Sequence, residues 1–312
     1  MRIDYHRTLI ADTVRNRGFF AALKAAIVPG KSVVADIGAG TGLLGLMASK
    51  LGAKSVYLFE TAEVAGVAER ILKANGAKNC QLIPCHSTHF VDRLEADVIV
   101  SETLGNYALE ENIIATLNDA RKRFLRPGGI VMPGSITQYV APVVSARFDR
   151  ELRAWERIGE GLDFSYAQAM SFNNVYVRSI SMRDLLDNGT CALAWDTIDL
   201  RRQEKNTRRG ETQWTLKHDQ TIHGFACWWT AELTPGIALS TAPDAPRTHW
   251  EQLYFPLLAP IAVGAGQSVR VMLKSRSSEE GGTHLAWTAV HLDGRGKEIG
   301  RYAHDLDRGY LP

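Results

Sequence analysis

Three carboxylates occur together in the stretch SETLGNYALEENI, residues 101–113. Glu102 stands two positions after the end of the apolar run ADVIV, and Glu110 and Glu111 come shortly after it. The stretch contains no lysine or arginine, so this negative charge lies just past the end of a predicted buried strand without a counterion of its own. Because buried charge requires a partner of opposite sign, the pattern raises the question of which cation these carboxylates meet.

A glycine-rich loop is the second feature that could take part in chemistry. In VVADIGAGTG, residues 33–42, Gly38, Gly40 and Gly42 lie between an apolar strand and a helix. Ligands of doubly wound folds bind at this position. The spacing is G-x-G-x-G, which does not match the dinucleotide fingerprint, and Asp36 would be a poor neighbour for a diphosphate. The loop therefore favours a cofactor with hydroxyls and positive charge.

An acidic residue supports this interpretation. Glu60 ends the strand SVYLFE, about twenty residues after the glycine loop, where an acid accepts hydrogen bonds from ribose hydroxyls. Together with Asp36, it points to S-adenosylmethionine, which carries a ribose and a sulfonium but no phosphate. The alternative is a merely structural turn.

Cys85, His86 and His89 could suggest a metal site, but no partner pair at zinc-finger spacing occurs elsewhere, and we predict none. The loop that carries these residues follows the strand QLI, so it is predicted to line the adenine of the cofactor. The basic run RRQEKNTRR, 201–209, is interpreted as an exposed hairpin end, and no nucleic-acid partner is expected. A Gly-x-Ser-x-Gly elbow, which would indicate a hydrolase, is absent from the sequence.

The elements that must position these residues fall into two halves. Residues 1–30 have helical spacing, with Gly18 as a possible break. Over 31–135, continuous apolar strands alternate with helices, which predicts a doubly wound α/β domain with a parallel sheet. Over 136–312, short β-branched and aromatic segments predict an antiparallel β-barrel or sandwich. A helical segment at about 146–170 interrupts this second domain.

Composition excludes several classes of protein. The 312 residues carry a net charge of +2, which indicates no particular partner. The start, MRIDYHRTLI, is not a signal peptide, and no stretch is long and apolar enough to span a bilayer. The four cysteines have no framework spacing, which fits a reducing compartment. We therefore expect a cytoplasmic protein without a membrane partner.

The motifs, taken in order, resemble those of the protein arginine methyltransferase family from about residue 5 to the C-terminus. VVADIGAGTG resembles the first cofactor motif of that family, SVYLFE its acidic post-motif, and SETLGNYALEENI its double-glutamate hairpin. RTHWEQLYF, 247–255, is similar to the family's Thr-His-Trp loop. The 146–170 segment falls where the family carries a dimerisation arm, which implies a homodimer.

The resemblance implies that Glu102 and Glu111 grip a guanidinium. This group is planar and positive and loses its proton only above about pH 12, so it is a poor nucleophile in water. Two carboxylates can orient one nitrogen and concentrate electron density there. The methyl group would then move by in-line displacement at the sulfonium. Glu110 is interpreted as an acid at the start of the following helix.

Further roles follow from the resemblance alone. His249 matches the loop histidine that pairs with an acid on the N-terminal helix, here Asp12. Arg15 matches the arginine that holds the methionine carboxylate of the cofactor. Trp250 is expected to wall the substrate channel.

Four positions depart from the family pattern. Ser87 and Thr88 stand where the family often has an acid that contacts the adenine amino group. Leu9 and Ile113 replace methionines beside the target nitrogen. The segment from His6 begins almost directly after Met1, so counterparts of the family's N-terminal lid aromatics are not expected.

Three functions therefore stay open. The first is S-adenosylmethionine-dependent methylation of arginine in a protein or peptide. The second is methylation of free arginine or another small guanidine. The third is a catalytically silent binding protein that keeps the fold for dimerisation.

Overall fold

The structure is a computed structural model that describes residues 3–278 and 280–308. Two helices precede the first sheet: α1 (Ile3–Ala11) and α2 (Thr13–Ala26). The chain breaks between them at Asp12, whose carboxylate accepts the N–H of Arg15 at 2.9 Å and caps α2. The predicted break at Gly18 is wrong. A Cβ at Gly18 would lie 2.8 Å from Leu239 Cδ2, so the glycine serves close packing of α2 on the second domain.

The first sheet has five parallel strands in the order β3-β2-β1-β4-β5. Every residue of β4 is buried, as a strand covered on both faces requires. The predicted doubly wound domain is confirmed. Its elements are β1 (Val33–Ile37), α3 (Leu43–Lys50), β2 (Ser55–Phe59), α4 (Ala65–Ala74), β3 (Cys80–Ile83), β4 (Ala96–Ser101), α5 (Ile113–Phe124) and β5 (Leu125–Met132).

The second half contains two antiparallel sheets, which confirms the predicted architecture. One has the order β7-β12-β10-β6-β8, with β11 paired to β10, and the other has the order β15-β14-β13-β9. The strands are β6 (Ser135–Val143), β7 (Tyr176–Arg178), β8 (Leu193–Asp199), β9 (Thr207–Thr215), β10 (Gln220–Thr234), β11 (Ile237–Ser240), β12 (Gln252–Val263), β13 (Ser268–Ser278), β14 (Gly282–Leu292) and β15 (Glu298–Asp305).

The interrupting segment folds as α6 (Arg147–Leu152), a 3-10 turn (Arg153–Arg157) and α7 (Ser165–Phe172). We call residues 147–172 the helical arm. Phe148 and Phe172 are buried against β12, whereas the other face of the arm exposes large apolar side chains. Within the part of the chain that the structure describes, no helix is long and apolar enough to cross a bilayer.

The fold collects four loops at one place. Because the strands of the first sheet are parallel, their carboxyl ends lie at the same edge. The glycine loop follows β1, Glu60 follows β2, the turn at 85–89 follows β3, and Glu102 follows β4.

Candidate active site

A cavity of about 330 Å³ opens at this edge of the parallel sheet. Its wall includes Gly38 and Gly40 of the glycine loop, Glu60, and both Glu102 and Glu111. Helix α1 also contributes side chains to the cavity wall. The predicted cofactor loop and the predicted carboxylate pair therefore share one cavity.

The glycine loop turns sharply from β1 into α3. Gly38, Gly40 and Gly42 have φ angles of 74°, 55° and 83°, which side chains with a Cβ rarely adopt. Gly42 lies behind the cavity wall, where a Cβ would meet Leu58 Cδ2 at 3.4 Å. Gly42 therefore shapes the start of α3, and the prediction that it contacts the cofactor is not supported by its place.

Two acidic side chains hold the loop. Asp36 Oδ2 accepts the N–H of Gly45 at 2.9 Å, and among the described residues its Oδ1 has no partner although it is buried. Burial raises the pKa of Asp36 to about 7. Glu60 accepts the N–H of Gly40 and of Ala62, each at 2.8 Å. A carboxylate oxygen has a further lone pair, so Glu60 can still accept a ligand hydroxyl.

The turn after β3 forms the far end of the cavity. Ser87 is buried in the wall, and its Oγ has no partner among the described residues. Cys85 and His86 of the same loop also line the cavity. Thr88 is exposed, pairs with His86 Nδ1 at 2.6 Å and lies outside the cavity wall, so its contact with the cofactor stays a prediction. The 3-10 turn that begins at Ser87 directs the Thr88 side chain away.

Glu102 is buried against Arg15. Arg15 Nε donates to Glu102 Oε2 at 2.5 Å, and Arg15 Nη2 contacts the same oxygen. Burial raises the pKa of Glu102 to about 7, although the nearby Arg15 guanidinium lowers it. The predicted catalytic carboxylate thus already binds a guanidinium, which belongs to the residue predicted to hold the cofactor.

The other two glutamates of the hairpin differ in their surroundings. Glu111 lines the cavity, and burial, reinforced by Glu60, raises its pKa. Glu110 is turned inward and accepts the N–H of Tyr107 at 2.6 Å. Because α5 begins only at Ile113, the prediction that Glu110 is a helix-start acid is wrong. Glu110 closes the turn that presents Glu111.

His249 and Asp12 are brought together as predicted. Asp12 Oδ2 lies 2.8 Å from His249 Nδ1 and accepts the His249 backbone N–H at 2.8 Å. Burial lowers the pKa of His249 despite the neighbouring carboxylate, so the ring is neutral and we assign the proton to Nδ1. The pKa of Asp12 is lowered by hydrogen bonds from Arg15 and His249, which outweigh its burial. Both residues lie behind Arg15, outside the cavity wall.

Trp250 lies outside the wall of this cavity but borders a second one of about 310 Å³, together with His249, so its role beside the substrate stays a prediction. It is buried, and its indole N–H donates to the carbonyl of Leu104 at 2.8 Å. Trp229 donates its indole N–H to the carbonyl of Gly105 at 3.1 Å and meets Trp250 edge to face at 5.0 Å. The two indoles fix the hairpin that carries Glu102.

Helix α1 supplies residues that the sequence did not single out. Leu9 lines the cavity as predicted, and so do Tyr5 and His6, one helical turn earlier. Burial, followed by the charges of nearby glutamates, raises the pKa of Tyr5. The i to i+4 spacing of Tyr5 and Leu9 was the available signal. Ile113, by contrast, is fully buried in the core and does not reach the cavity wall.

No group of three or more His, Cys, Asp or Glu side chains in residues 3–278 and 280–308 is arranged to hold a metal ion. The cations of the basic run mostly pair with acids of the same chain: Arg208 with Asp196, and Arg201 with Asp199. Residues 201–209 connect β8 of one antiparallel sheet to β9 of the other, so the prediction of a hairpin end is wrong, although most of these residues are exposed as predicted.

The cavity and fold define a methyltransferase-type nucleotide domain joined to a β-domain, and comparisons with known proteins agree. Residues 135–288 match the family model of the arginine methyltransferase oligomerization subdomain. Residues 18–158 match the model of ribosomal protein L11 methyltransferase. The two models together span both domains, and these matches support membership of the protein arginine methyltransferase family.

Similar proteins match over most of the chain. Protein arginine N-methyltransferase 6 of Danio rerio is 28% identical over 95% of this chain and 88% of its own. The probable protein arginine N-methyltransferase 6 of Arabidopsis thaliana is 26% identical over 93% of this chain and 76% of its own. The Trypanosoma brucei PRMT1 enzyme-prozyme heterotetrameric complex with AdoHcy superposes with a TM-score of 0.86 and 23% identity, covering 97% of this chain and 98% of that one.

Proposed function

We propose that this protein transfers a methyl group from S-adenosylmethionine to a guanidinium nitrogen of an arginine in a protein or peptide. The observation that carries the proposal is the shared cavity: two carboxylates, the buried Glu102 and the more exposed Glu111, line it beside a glycine loop held by Glu60. A cationic group and a nucleoside can therefore be bound next to one another. The names of the relatives, which are arginine N-methyltransferases, support the same conclusion.

The residues of the cavity fit S-adenosylmethionine. Glu60 can accept a ribose hydroxyl, and the unpartnered oxygen of Asp36 can accept a donor of the cofactor. The unpartnered hydroxyl of Ser87 suits the adenine, which would lie towards β3, one strand beyond Glu60. Arg15 would bind the carboxylate of the methionine part. When bound, the cofactor supplies an electrophilic methyl group on its sulfonium.

Glu102 and Glu111 would orient the substrate. A guanidinium presents its N–H groups in a fixed planar fork, so two carboxylates can hold it from two sides. One nitrogen would then face the methyl group. The methyl group would pass from sulfur to nitrogen and leave a thioether behind, and the proton that the nitrogen gives up would pass to solvent. The protein would contribute alignment and charge.

The proposal is tested with methyl-labelled S-adenosylmethionine and two substrates, an arginine-containing peptide pool and free arginine. We expect label in the peptide fraction. Label only in free arginine would show a small-molecule methyltransferase instead. Transfer to neither substrate, together with intact cofactor binding, would indicate the silent binding protein. Mass spectrometry of the product then counts the methyl groups that are transferred.

We further propose that the protein acts as a homodimer through the helical arm. The stacked rings of Trp155 and Phe164, 6.2 Å apart, lie on its outer face, and Leu162 and Met170 are 61% and 62% exposed there. Apolar patches of this kind mark interaction surfaces. The match of 135–288 to an oligomerization subdomain supports the same conclusion.

A further inference from the structure

Arg123, near the end of α5, contacts the far end of the cavity from outside. Its Nη1 donates to the carbonyl of Phe90 at 2.7 Å, and its Nη2 donates to the carbonyl of Ser87. One guanidinium therefore joins both ends of the turn that follows β3. Arg123 itself does not form part of the cavity wall.

The guanidinium is held in turn by Asp119, one helical turn earlier on α5. Arg123 Nε lies 2.9 and 3.0 Å from the two Asp119 oxygens, and the Arg123 Cζ lies 4.5 Å from the ring centre of Phe124. A planar fork that is bound by a carboxylate on one side and by carbonyls on the other has little freedom to move. The pair thus forms a rigid link between α5 and the turn.

Aromatic packing completes this link. Phe90 meets Phe59 edge to face at 5.2 Å, and Phe59 stacks on Phe124 at 5.5 Å. Phe59 ends β2 and lines the cavity. The end of β2, the turn and the end of α5 therefore form one packed unit behind the cavity.

Arg123 contacts the backbone of Ser87, whose side chain faces away from Arg123. The Ser87 carbonyl points to Arg123, whereas its side chain is 1% exposed and lies in the cavity wall with Oγ unpartnered among the described residues. Because Arg123 fixes the backbone of Ser87, it also fixes where this hydroxyl stands. A lysine could not replace it, since an ammonium lacks the planar fork.

We propose that Arg123 is a positioning residue which, through Ser87, sets the affinity and selectivity of the cavity for the adenine of the cofactor. The inference rests on the proposed function, because it takes S-adenosylmethionine as the ligand. Arg123 touches neither the cofactor nor the substrate, so the chemical step at saturating cofactor should not depend on it.

The test is calorimetric titration with S-adenosylhomocysteine of wild-type protein, Arg123→Ala and Arg123→Lys. Lys122→Ala is the matched control, because Lys122 is the exposed neighbour on the same helix. We expect Arg123→Ala to raise the Kd about tenfold, as the loss of charge-assisted hydrogen bonds requires. Lys122→Ala should change it less than about twofold. The KM for S-adenosylmethionine should rise with the Kd while kcat stays constant.

Selectivity is tested by the ratio of two affinities, because a general loosening of the protein would weaken both ligands alike and leave this ratio unchanged. The N6-methyl derivative of S-adenosylhomocysteine should bind wild type more weakly than the parent, and this ratio should fall towards one in Arg123→Ala. An unchanged Kd and an unchanged ratio would overturn the inference. If Arg123→Ala does not fold, Arg123→Lys decides: affinity equal to wild type overturns the inference, and weaker binding supports it. Wild-type protein that binds no S-adenosylhomocysteine would instead refute the proposed function.

Discussion

At the scale of single residues, Glu102 combines burial with a guanidinium partner inside its own chain. We predict that Glu102→Gln lowers kcat for methyl transfer by at least about a hundredfold, because the neutral amide cannot concentrate charge on the substrate nitrogen. Binding of S-adenosylhomocysteine should stay within about threefold of wild type. The substitution removes the ion-pair partner of Arg15 but keeps Arg15 itself, which can still bind the cofactor. Calorimetry and labelled-methyl transfer measure the two effects.

Weak binding of the product by Glu102→Gln would contradict this division of roles. It would mean that Glu102 belongs to the cofactor site rather than to the substrate site. Glu110→Gln is the control, since the glutamine can still accept the N–H of Tyr107 and should leave transfer nearly unchanged.

The pH dependence follows from the same residue. Burial raises the pKa of Glu102 from its ordinary value to about 7, and only the ionised form can orient a cation. We therefore expect kcat/KM to fall about tenfold per pH unit below 7, since this parameter reports ionisation in the free protein. The same fall of kcat/KM below pH 7 should be seen in Glu110→Gln. The native Glu110 carboxyl also has its pKa raised to about 7 by burial. A profile that is flat between pH 5.5 and 8 would contradict the assignment.

At the scale of elements, the hairpin that carries Glu102 depends on indole hydrogen bonds. Trp250→Phe removes the donor to the Leu104 carbonyl and keeps an aromatic ring. We expect a loss of about 1 kcal/mol in the free energy of unfolding, the usual net worth of such a bond. The kcat should fall severalfold, while binding of S-adenosylhomocysteine stays the same. Denaturant titration and kinetics measure these effects.

Trp195→Phe is the matched control for this prediction. The indole N–H of Trp195 is buried but has no partner among the residues that the structure describes. Its removal should cost little stability and leave kcat unchanged. Equal losses in the two variants would show that ring volume, rather than the hydrogen bond to the hairpin, matters.

Much of the element order could be predicted from the sequence, because continuous apolar strands and alternating segments reflect burial on two faces or on one. The break between α1 and α2 was missed. Gly18 is the residue that breaks helices by propensity, yet Asp12 ends α1 because its side chain caps α2 and also binds His249. That second contact comes from the other domain, which local patterns cannot report.

The site was predictable to the extent that strand ends define it. Asp36, Glu60 and Glu102 lie at the carboxyl ends of three neighbouring strands of the sheet, so topology alone brings them together. Side-chain direction was not predictable: Thr88 turns outward, and Ile113 and Trp250 turn into the core. These directions depend on the rotation of a 3-10 turn and on cross-domain packing, which spacing along the chain does not encode.

At the scale of the whole molecule, the dimer that we propose depends on the helical arm. We predict that the double substitution Leu162→Asp and Met170→Glu converts the dimer to a monomer, because charge on both exposed apolar positions opposes burial in an interface. Sedimentation velocity measures the change. Val91→Asp is the control, since Val91 is 94% exposed but lies outside the arm.

Two results would contradict this prediction. A wild-type monomer at micromolar concentration would refute the dimer itself. A dimer that survives the double substitution would place the interface elsewhere on the surface.

The contact between Arg15 and Glu102 has a thermodynamic consequence. In this structure the Arg15 guanidinium neutralises Glu102, the carboxylate that we propose binds the substrate. If the carboxylate of the cofactor draws Arg15 away, the vacated charge on Glu102 becomes available to an incoming guanidinium. Each ligand should then strengthen the binding of the other by the same factor, because coupling free energy is reciprocal. Titrating an arginine peptide with and without S-adenosylhomocysteine should show tighter binding in its presence, and equal affinities would exclude this coupling.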